Sequence, residues 1–282
     1  NELGFSTRWD VLKGGEAFFQ VTKKFHNALH GQAAAIARQD YRIFLETTQQ
    51  NLKIFPLEGD VIFVHDPQPA GLIKAKSSHG GRWDWRCHID VSAPHLGVWR
   101  FLRGFVDRYD AAVFSTPQFV QRLPIRQFLV APSIDPLSKK NEELSEETIT
   151  SVLHRLGIPQ DKPLVTQISR FDALKDPLGV IEAFRLVRKT TNCRLILAGG
   201  GASDDPEGAQ VLAEVRARAK GNPDVVILEL PPDSHLEINA IQRASTVIVQ
   251  KSIREGFGLT VSEALWKGKP VVASAVGGIP IQ

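Results

Sequence analysis

Short runs of Val, Ile and Leu recur along the chain, and each is followed by polar or Gly/Pro residues and then by a longer helical pattern. Strands buried on both faces of a parallel sheet have such apolar runs, and their alternation with helices is typical of a doubly wound sheet. The pattern therefore predicts an α/β protein with parallel sheets. The predicted strands are 61–64, 85–88 and 111–114 in the first half, and 164–168, 194–198, 225–228, 246–249 and 271–273 in the second.

The two series of strands predict two Rossmann-like domains. The length of 282 residues supports this division, because it exceeds the usual size of one domain. Between the two series, a proline-containing segment at 132–136 interrupts regular structure, and Ser145 is a candidate N-cap for a new helix. We therefore place the first domain at 1–136 and the second at 137–282.

Composition limits the partners of the chain. The net charge is +3, and Lys and Arg are scattered among acidic residues, so we expect no nucleic-acid partner. No apolar run approaches the length of a membrane span, and Cys87 and Cys193 lie in different halves, as in a protein of the reducing cytoplasm. The sequence contains no Met, and it begins and ends within its strand pattern. We therefore expect a cytoplasmic protein of which this chain is a fragment.

The segment from Ser252 to Pro270 carries two carboxylates, Glu255 and Glu263. We predict that a helix begins between them, near Gly256 or Phe257. The N–H groups and the positive dipole end of such a helix start favour a sugar hydroxyl or a phosphate, and Gly258 leaves the approach open. Gly268 would end this helix ahead of the proline. In the alternative interpretation, Glu255 is a loop residue with little packing and Glu263 is a solvated helix residue.

Ligands of parallel sheets gather outside the carboxyl ends of the strands. This rule selects four segments, which we expect to face one cleft between the domains: 65–69, 87–90, 169–175 and 252–258. In the third segment, Arg170 and Lys175 lie five residues apart. Together they could bind a diphosphate, although two solvated surface cations remain the alternative.

Other polar residues at the strand ends allow more than one interpretation. His88 could hydrogen-bond a sugar hydroxyl or transfer a proton, and a purely structural role is the alternative. Asp66 could orient a hydroxyl or cap a helix that begins near Pro69. His79, His88 and His95 with Cys87 do not have the spacing of a usual zinc site, so we predict no metal site.

Two further motifs have simple structural interpretations. Gly199 to Gly201 follow a strand as a nucleotide loop would, but Asp204, Asp205 and Glu207 would repel a phosphate, so we predict a turn there. We place Trp83 and Trp85 in the core or in a cleft wall, with stacking on a sugar as the alternative.

Glu255 and Glu263, with Gly256 to Leu259 between them and with Arg170 and Lys175 upstream, resemble the motif of the retaining glycosyltransferases of family 4, which have the GT-B fold. The resemblance is strongest to the members that form trehalose. Six segments carry this narrower resemblance: 25–29, 64–70, 85–90, 132–136, 204–208 and 252–270.

The resemblance implies reversible transfer of glucose from ADP- or UDP-glucose to free glucose, giving α,α-trehalose. It implies no tightly bound cofactor, with Mg²⁺ as a companion of the nucleotide diphosphate, and it is compatible with a homodimer. The implied catalytic residues are His88, Glu255, Arg170 and Lys175. The implied donor-binding residues are Arg170 and Lys175 for the diphosphate, Glu255, Gly256, Phe257, Gly258 and Leu259 for the glucose, and Glu263 for the ribose. The implied acceptor-binding residues are Asp66, Gln68, Arg86 and Asp90.

The chain departs from the family pattern at both ends. The family's first strand and its glycine-rich loop should precede Asn1, and its terminal helix should follow the last residue. Two alternatives stay open. One is a retaining trehalose phosphorylase of the same family, which uses phosphate in place of a nucleotide. The other is a non-catalytic sugar-nucleotide-binding module, for which the departures at both ends are the main argument.

Overall fold

The structure is a computed structural model that describes residues 4–78, 80–200 and 207–282. The chain forms two compact units, Asn1–Val130 and Ala131–Gln282. The sequence hypotheses for His79, Gly201, Asp204 and Asp205 concern residues outside the described ranges.

The first unit is an α/β unit with parallel strands. Its helices and strands are α1 (Glu16–Leu29), α2 (Arg38–Ile54), β1 (Val61–His65), β2 (Arg82–Cys87), α3 (Leu96–Val106), β3 (Ala111–Phe114) and β4 (Arg126–Leu129).

The strands of this unit pair in the order β1-β2-β3-β4, and every neighbouring pair is parallel. Trp83 and Trp85 lie in the central strand β2 and are fully buried, which confirms their placement in the core. The indole of Trp85 packs edge-on against Phe114 with ring centroids 6.0 Å apart. The sheet therefore has a buried aromatic centre, and the Trp85 N–H donates to the Asp66 carbonyl, just past the end of β1, at 2.9 Å.

The second unit also alternates strands and helices. Its elements are α4 (Glu146–Arg155), β5 (Leu164–Ile168), α5 (Pro177–Val187), β6 (Arg194–Gly199), α6 (Gly208–Ala219), β7 (Val225–Glu229), α7 (His235–Ala244), β8 (Val247–Gln250), α8 (Leu259–Trp266) and β9 (Val271–Ala273).

Its strands pair in the order β7-β6-β5-β8-β9, again all parallel. The chain builds the sheet outward from β5 to β7 and then returns to place β8 on the other side of β5. One face packs on α5 and α6, and the other packs on α4 and α7. In such a sheet, ligands bind where the strand order reverses, and here that position is at the carboxyl ends of β5 and β8.

The predicted strands are all present, with boundaries that differ by at most a few residues. Strand β4 was not predicted, because it is a short and largely exposed edge strand without an apolar run. The first unit ends at Val130, six residues before the predicted boundary at 136. The following segment belongs to the second unit. Within it, the Asn141 side chain donates to the Asp135 carbonyl at 2.8 Å, and the Asn141 carbonyl accepts from Arg243 of α7 at 3.2 Å.

Candidate functional site

The loop after β5 places two cations beside the reversal of strand order. Arg170 is partly exposed, and its guanidinium lies 3.5 Å from the buried carboxylate of Asp172. Lys175 is the last residue of a 3-10 turn, Ala173–Lys175, which Asp172 caps by accepting the N–H of Leu174 at 2.7 Å. The next residue, Asp176, has a φ of +48° and caps α5 through the N–H of Gly179 at 2.9 Å. This left-handed residue lets the chain turn directly from Lys175 into the helix.

The loop after β8 supplies a carboxylate to the same position. Glu255 is only 8% exposed, and its Oε2 atom accepts from Lys175 Nζ at 2.6 Å, Ser252 Oγ at 3.0 Å and Gln250 Nε2 at 3.3 Å. Among the described residues, no hydrogen bond reaches Oε1. The structure thus brings Lys175 and Glu255 together although 80 residues separate them. Glu255 lies in a loop, as one interpretation expected, but the expectation that it carries little packing was wrong, because the Lys175, Ser252 and Gln250 side chains bury it.

Helix α8 begins later than predicted. Its first residue is Leu259 and its N-cap is Gly258, so the predicted start at Gly256 or Phe257 was wrong. The physical reason is the left-handed φ of +84° at Gly258, because a residue with this backbone conformation cannot be part of a right-handed helix. The helix therefore begins only after Gly258. A side chain there would also meet the Glu255 Cγ atom at 3.2 Å. The N–H groups of the first turn therefore follow directly after the carboxylate loop.

The predicted end of this helix is confirmed. Gly268 has a φ of +67°, its N–H bonds to the Leu265 carbonyl at 3.0 Å, and the Lys269 N–H bonds to the Ala264 carbonyl at 2.9 Å. These two bonds form a Schellman motif.

Glu263 is buried, so its interpretation as a solvated helix residue was wrong. Lys140 Nζ lies 2.7 Å from Oε1, and Gln242 Nε2 donates to Oε2 at 3.4 Å. Both carboxylate oxygens of Glu263 are therefore engaged by protein groups. Lys267 lies one turn further along α8, and burial lowers its pKa from 10.5 to about 8.

In the first unit, the carboxyl ends of β1 and β2 form a histidine pair. His65 Nδ1 lies 2.9 Å from His88 Nε2, and the two rings stack at 8°. Burial and the Arg86 guanidinium lower the pKa of His88, and burial followed by His88 lowers the pKa of His65. Both imidazoles are consequently neutral at pH 7.

Asp66 joins the same two strand ends. Its φ is +70°, its N–H bonds to the Arg86 carbonyl at 2.7 Å, and its Oδ1 accepts the N–H of His88 at 2.8 Å. Burial raises the pKa of Asp66, although the bond from His88 opposes this. The capping alternative was wrong, because the 3-10 helix Ala70–Ala75 has Pro69 at its N-cap without a side-chain bond.

The other predicted acceptor residues lie in different surroundings. The guanidinium of Arg86 is buried and donates to the Val130 carbonyl at 2.7 Å. Asp90 is buried and accepts from the N–H of Ser92 at 2.9 Å. Gln68 lines a small pocket, and its Oε1 atom is buried without a hydrogen-bond partner among the described residues. The remaining lining residues of this pocket are Thr22, Phe25, His26, Phe44, Pro67 and Ile89.

Sequence reasoning selected His65 only as part of the segment 65–69, without a role of its own, and it missed Gln250. These two are the last residues of β1 and β8, so a polar residue at the end of an apolar strand was the available signal. No local signal marks Lys140, because its partner Glu263 lies in a distant helix.

Two other kinds of site are absent from the described part of the chain. Within residues 4–78, 80–200 and 207–282, no group of three or more His, Cys, Asp or Glu side chains is placed to hold a metal ion. In the same ranges, no helix combines the length and apolar character needed to cross a membrane.

Two family models match the chain. The model described as "Trehalose synthase, N-terminal domain" matches residues 1–121. The model described as "Glycosyl transferases group 1" matches residues 150–281.

Curated relatives match along almost the whole chain. "Trehalose synthase" of Pyrococcus horikoshii is 45% identical and is matched by 99% of this chain over 69% of its own length. "Trehalose synthase" of Rubrobacter xylanophilus is 43% identical, with 100% of this chain and 70% of the relative covered. "Trehalose phosphorylase" of Grifola frondosa is 30% identical, with 99% of this chain and 45% of the relative covered.

Solved structures share the fold. "Trehalose-6-phosphate synthase. OtsA" superposes with a TM-score of 0.74 at 16% identity, covering 93% of this chain and 70% of that one. A trehalose-phosphate synthase of Burkholderia xenovorans, in complex with glucose-6-phosphate, has a TM-score of 0.75 at 14% identity, covering 94% and 71%. These likenesses confirm the α/β class and the GT-B fold expected from the sequence.

Proposed function

Because the chain belongs to the trehalose synthase family of glycosyltransferases, we propose that it transfers glucose reversibly from ADP- or UDP-glucose to free glucose, with retention, to form α,α-trehalose. The observation that carries the proposal is the contact between Lys175 and Glu255 at the reversal of strand order. A cation and a sugar-binding carboxylate in contact suit a ligand that joins a diphosphate to a hexose.

In this proposal, the diphosphate binds to Arg170 and Lys175 and to the N–H groups at the start of α8. The glucose hydroxyls bind to Oε1 of Glu255, since the three protein donors are all on Oε2. The loop from Gly256 to Leu259 supplies backbone groups to the same sugar. The ribose binds to Glu263, and for this its hydroxyls must displace Lys140 from Oε1.

We assign the first unit to the hexoses. His88 contacts the donor glucose, as a neutral group whose ring is held by His65. Asp66, Gln68, Arg86 and Asp90 belong to the acceptor side, where Gln68 offers the buried acceptor atom Oε1 to a hydroxyl. No tightly bound cofactor is required, and Mg²⁺ would accompany the diphosphate.

The chemistry we propose needs no nucleophile from the protein. The bond from the donor's anomeric carbon to the diphosphate oxygen breaks, and the acceptor's anomeric oxygen attacks the same face of the sugar. The acceptor proton passes to the departing diphosphate. The protein stabilises the negative charge on the leaving group through Arg170, Lys175 and the start of α8, and it holds both sugars in place.

The direct test incubates the protein with glucose and ADP-, UDP- or GDP-glucose and measures trehalose by chromatography. We expect trehalose from at least one donor, with one nucleoside diphosphate released for each trehalose formed. Retention is checked by the α,α configuration of the product. Absence of trehalose with all three donors, and of glucose release from trehalose with each nucleoside diphosphate, would contradict the proposal.

A phosphorylase is the second candidate, because the buried carboxylate of Glu263 is already engaged by Lys140 and Gln242 and a phosphorylase needs no ribose site. It predicts that trehalose and phosphate alone yield glucose 1-phosphate. If the protein binds a nucleotide sugar in calorimetry but shows turnover with neither substrate pair, it is the non-catalytic binding module.

A further inference from the structure

A single buried amide joins the two loops that carry the proposed donor site. Gln167 is the fourth residue of β5 and is 1% exposed. Its Nε2 atom donates to the Lys175 carbonyl at 3.1 Å and to Ser169 Oγ at 3.3 Å. Its Oε1 atom accepts the N–H of Lys251 at 3.3 Å. One side chain therefore binds the backbone of the loop after β5 and the backbone of the loop after β8.

Two other contacts join the same loops. The N–H of Ile253 bonds to the Leu174 carbonyl at 2.8 Å. The Lys251 ammonium forms an ion pair with the Asp176 carboxylate, next to Lys175. Gln167 differs from these contacts because it is fully buried beneath both loops, where no water can replace a lost bond.

The chemistry of the position requires an amide. It must donate to a carbonyl and accept from an N–H, and glutamine does both without a charge and without taking up a proton. An ionised Glu would still accept the N–H of Lys251, but its second oxygen would repel the Lys175 carbonyl oxygen. Met would fill the space and form neither bond. Asn is one methylene shorter, so it would not span both loops.

We propose that Gln167 is a positioning residue that sets the register of Lys175 against Glu255, so that the diphosphate and the hexose of one nucleotide sugar are held at the correct separation. The inference rests on the proposed function. It extends that function to a residue that touches no substrate and acts only through the two loops.

The test compares Gln167→Met with a matched control, Thr166→Val. Thr166 is the preceding residue of β5, is also fully buried, and accepts from Ser245 Oγ at 2.7 Å on the opposite face of the sheet. Both variants lose buried hydrogen bonds in one strand, but only Gln167 contacts the two loops. The measurements are kcat, the KM of the nucleotide sugar, the KM of glucose and the melting temperature.

We expect Gln167→Met to lower kcat/KM for the nucleotide sugar about 10- to 100-fold, the scale of a small misplacement of reacting groups. The KM of glucose in Gln167→Met should stay within about twofold of the wild-type value, since Gln167 contacts only the loops of the donor site. Thr166→Val should leave kcat/KM for the nucleotide sugar within the same limit, since Thr166 contacts neither loop. The inference would be overturned if kcat/KM for the nucleotide sugar were equal in the two variants. It would also be overturned if the KM values of glucose and of the nucleotide sugar rose equally in Gln167→Met. Neither result would affect the proposed function, provided that the wild type forms trehalose. Absence of both turnover and nucleotide-sugar binding in the wild type would overturn the proposed function and this inference together.

Gln167→Glu provides a second readout if the Met variant does not fold. A buried carboxyl is protonated more readily than an exposed one, and its O–H can then donate to the Lys175 carbonyl. We expect its deficit in donor kcat/KM relative to wild type to shrink as the pH falls from 8 to about 5.5, where such a carboxyl protonates. A deficit that does not change with pH would contradict the positioning role.

Discussion

The imidazoles of His65 and His88 share a hydrogen bond of 2.9 Å between Nδ1 of the first and Nε2 of the second. The bond joins the ends of two neighbouring parallel strands, and Asp66 reinforces it by accepting the N–H of His88. With Nε2 of His88 engaged, the orientation of its ring depends on His65. The residue that we assign to the donor glucose is therefore held by His65, to which the family resemblance gives no role.

The pair should make stability depend on pH. Burial lowers both histidine pKa values, so the unfolded state binds more protons than the folded state as the pH falls below about 6.5. Stability contributed by the neutral pair is thus present at pH 7 and is lost with acidification. We expect the melting temperature to fall less between pH 7 and 5.5 in His65→Asn than in the wild type. The exposed His154 offers a control, since His154→Asn should keep the wild-type slope.

Asp66 acts in the opposite direction and must be separated from the histidines. Burial raises its pKa, so its contribution favours the folded state as the pH falls. A charged His65 lowers the Asp66 pKa, so His65→Asn raises that pKa further and adds to the smaller fall in melting temperature, whereas burial acts on Asp66 in both proteins. An identical pH slope in His65→Asn and wild type would remove the pair as a cause.

Glu255 should be essential for turnover and should also contribute to stability. Glu255→Gln removes the charge that faces Lys175, and we expect a fall in kcat of at least about 100-fold from misplaced groups. Because three donors converge on Oε2, we also expect a loss of about 1–3 kcal/mol in the free energy of unfolding. The measurements are initial rates and urea unfolding.

Glu237→Gln is the matched control for this change. Glu237 also pairs with a cation, Arg155, at 2.7 Å, but on the outside of the second unit. It should keep wild-type rates. Wild-type turnover in Glu255→Gln would exclude the carboxylate from the reaction.

Arg170 should contribute to donor affinity and little to folding. Its side chain is 44% exposed, and the buried Asp172 carboxylate beside it keeps the bond from the Leu174 N–H in Arg170→Ala. We expect binding of the nucleotide sugar to weaken by about 1.5–3 kcal/mol, the range of a hydrogen bond to a charged group. Calorimetry measures this, with Arg155→Ala as a control at a distant ion pair. Unchanged affinity in Arg170→Ala would place the diphosphate elsewhere.

Lys140 should compete with the ribose for Glu263. Its ammonium occupies Oε1, so Lys140→Met frees that oxygen. We expect ADP or UDP to bind more tightly by up to about 1 kcal/mol, the usual value of a partly exposed ion pair. Inorganic phosphate, which has no ribose, should bind as before. Weaker nucleotide binding in this variant would show that Lys140 contacts the nucleotide instead of competing with it.

The sequence by itself determined the strands that are buried on both faces. Such a strand is rich in Val, Ile and Leu, as at 195–198, because both of its sides meet helices. It also determined two helix ends, since Ser145 accepts the N–H of Thr148 at 3.2 Å and Gly268 ends α8 through bonds made within a few residues. The edge strand β4 has no such signal, because most of its side chains are exposed.

The candidate site was predictable as a set of segments but not as a set of contacts. The rule that ligands gather at the carboxyl ends of strands selected the loops that carry Lys175 and Glu255. Only the tertiary structure decided that these side chains touch, because their contact depends on β8 lying beside β5, and no local pattern records strand order. The roles of Gln167 and Lys140 arise in the same way, since each depends on a partner that folding, and not spacing along the chain, brings within reach.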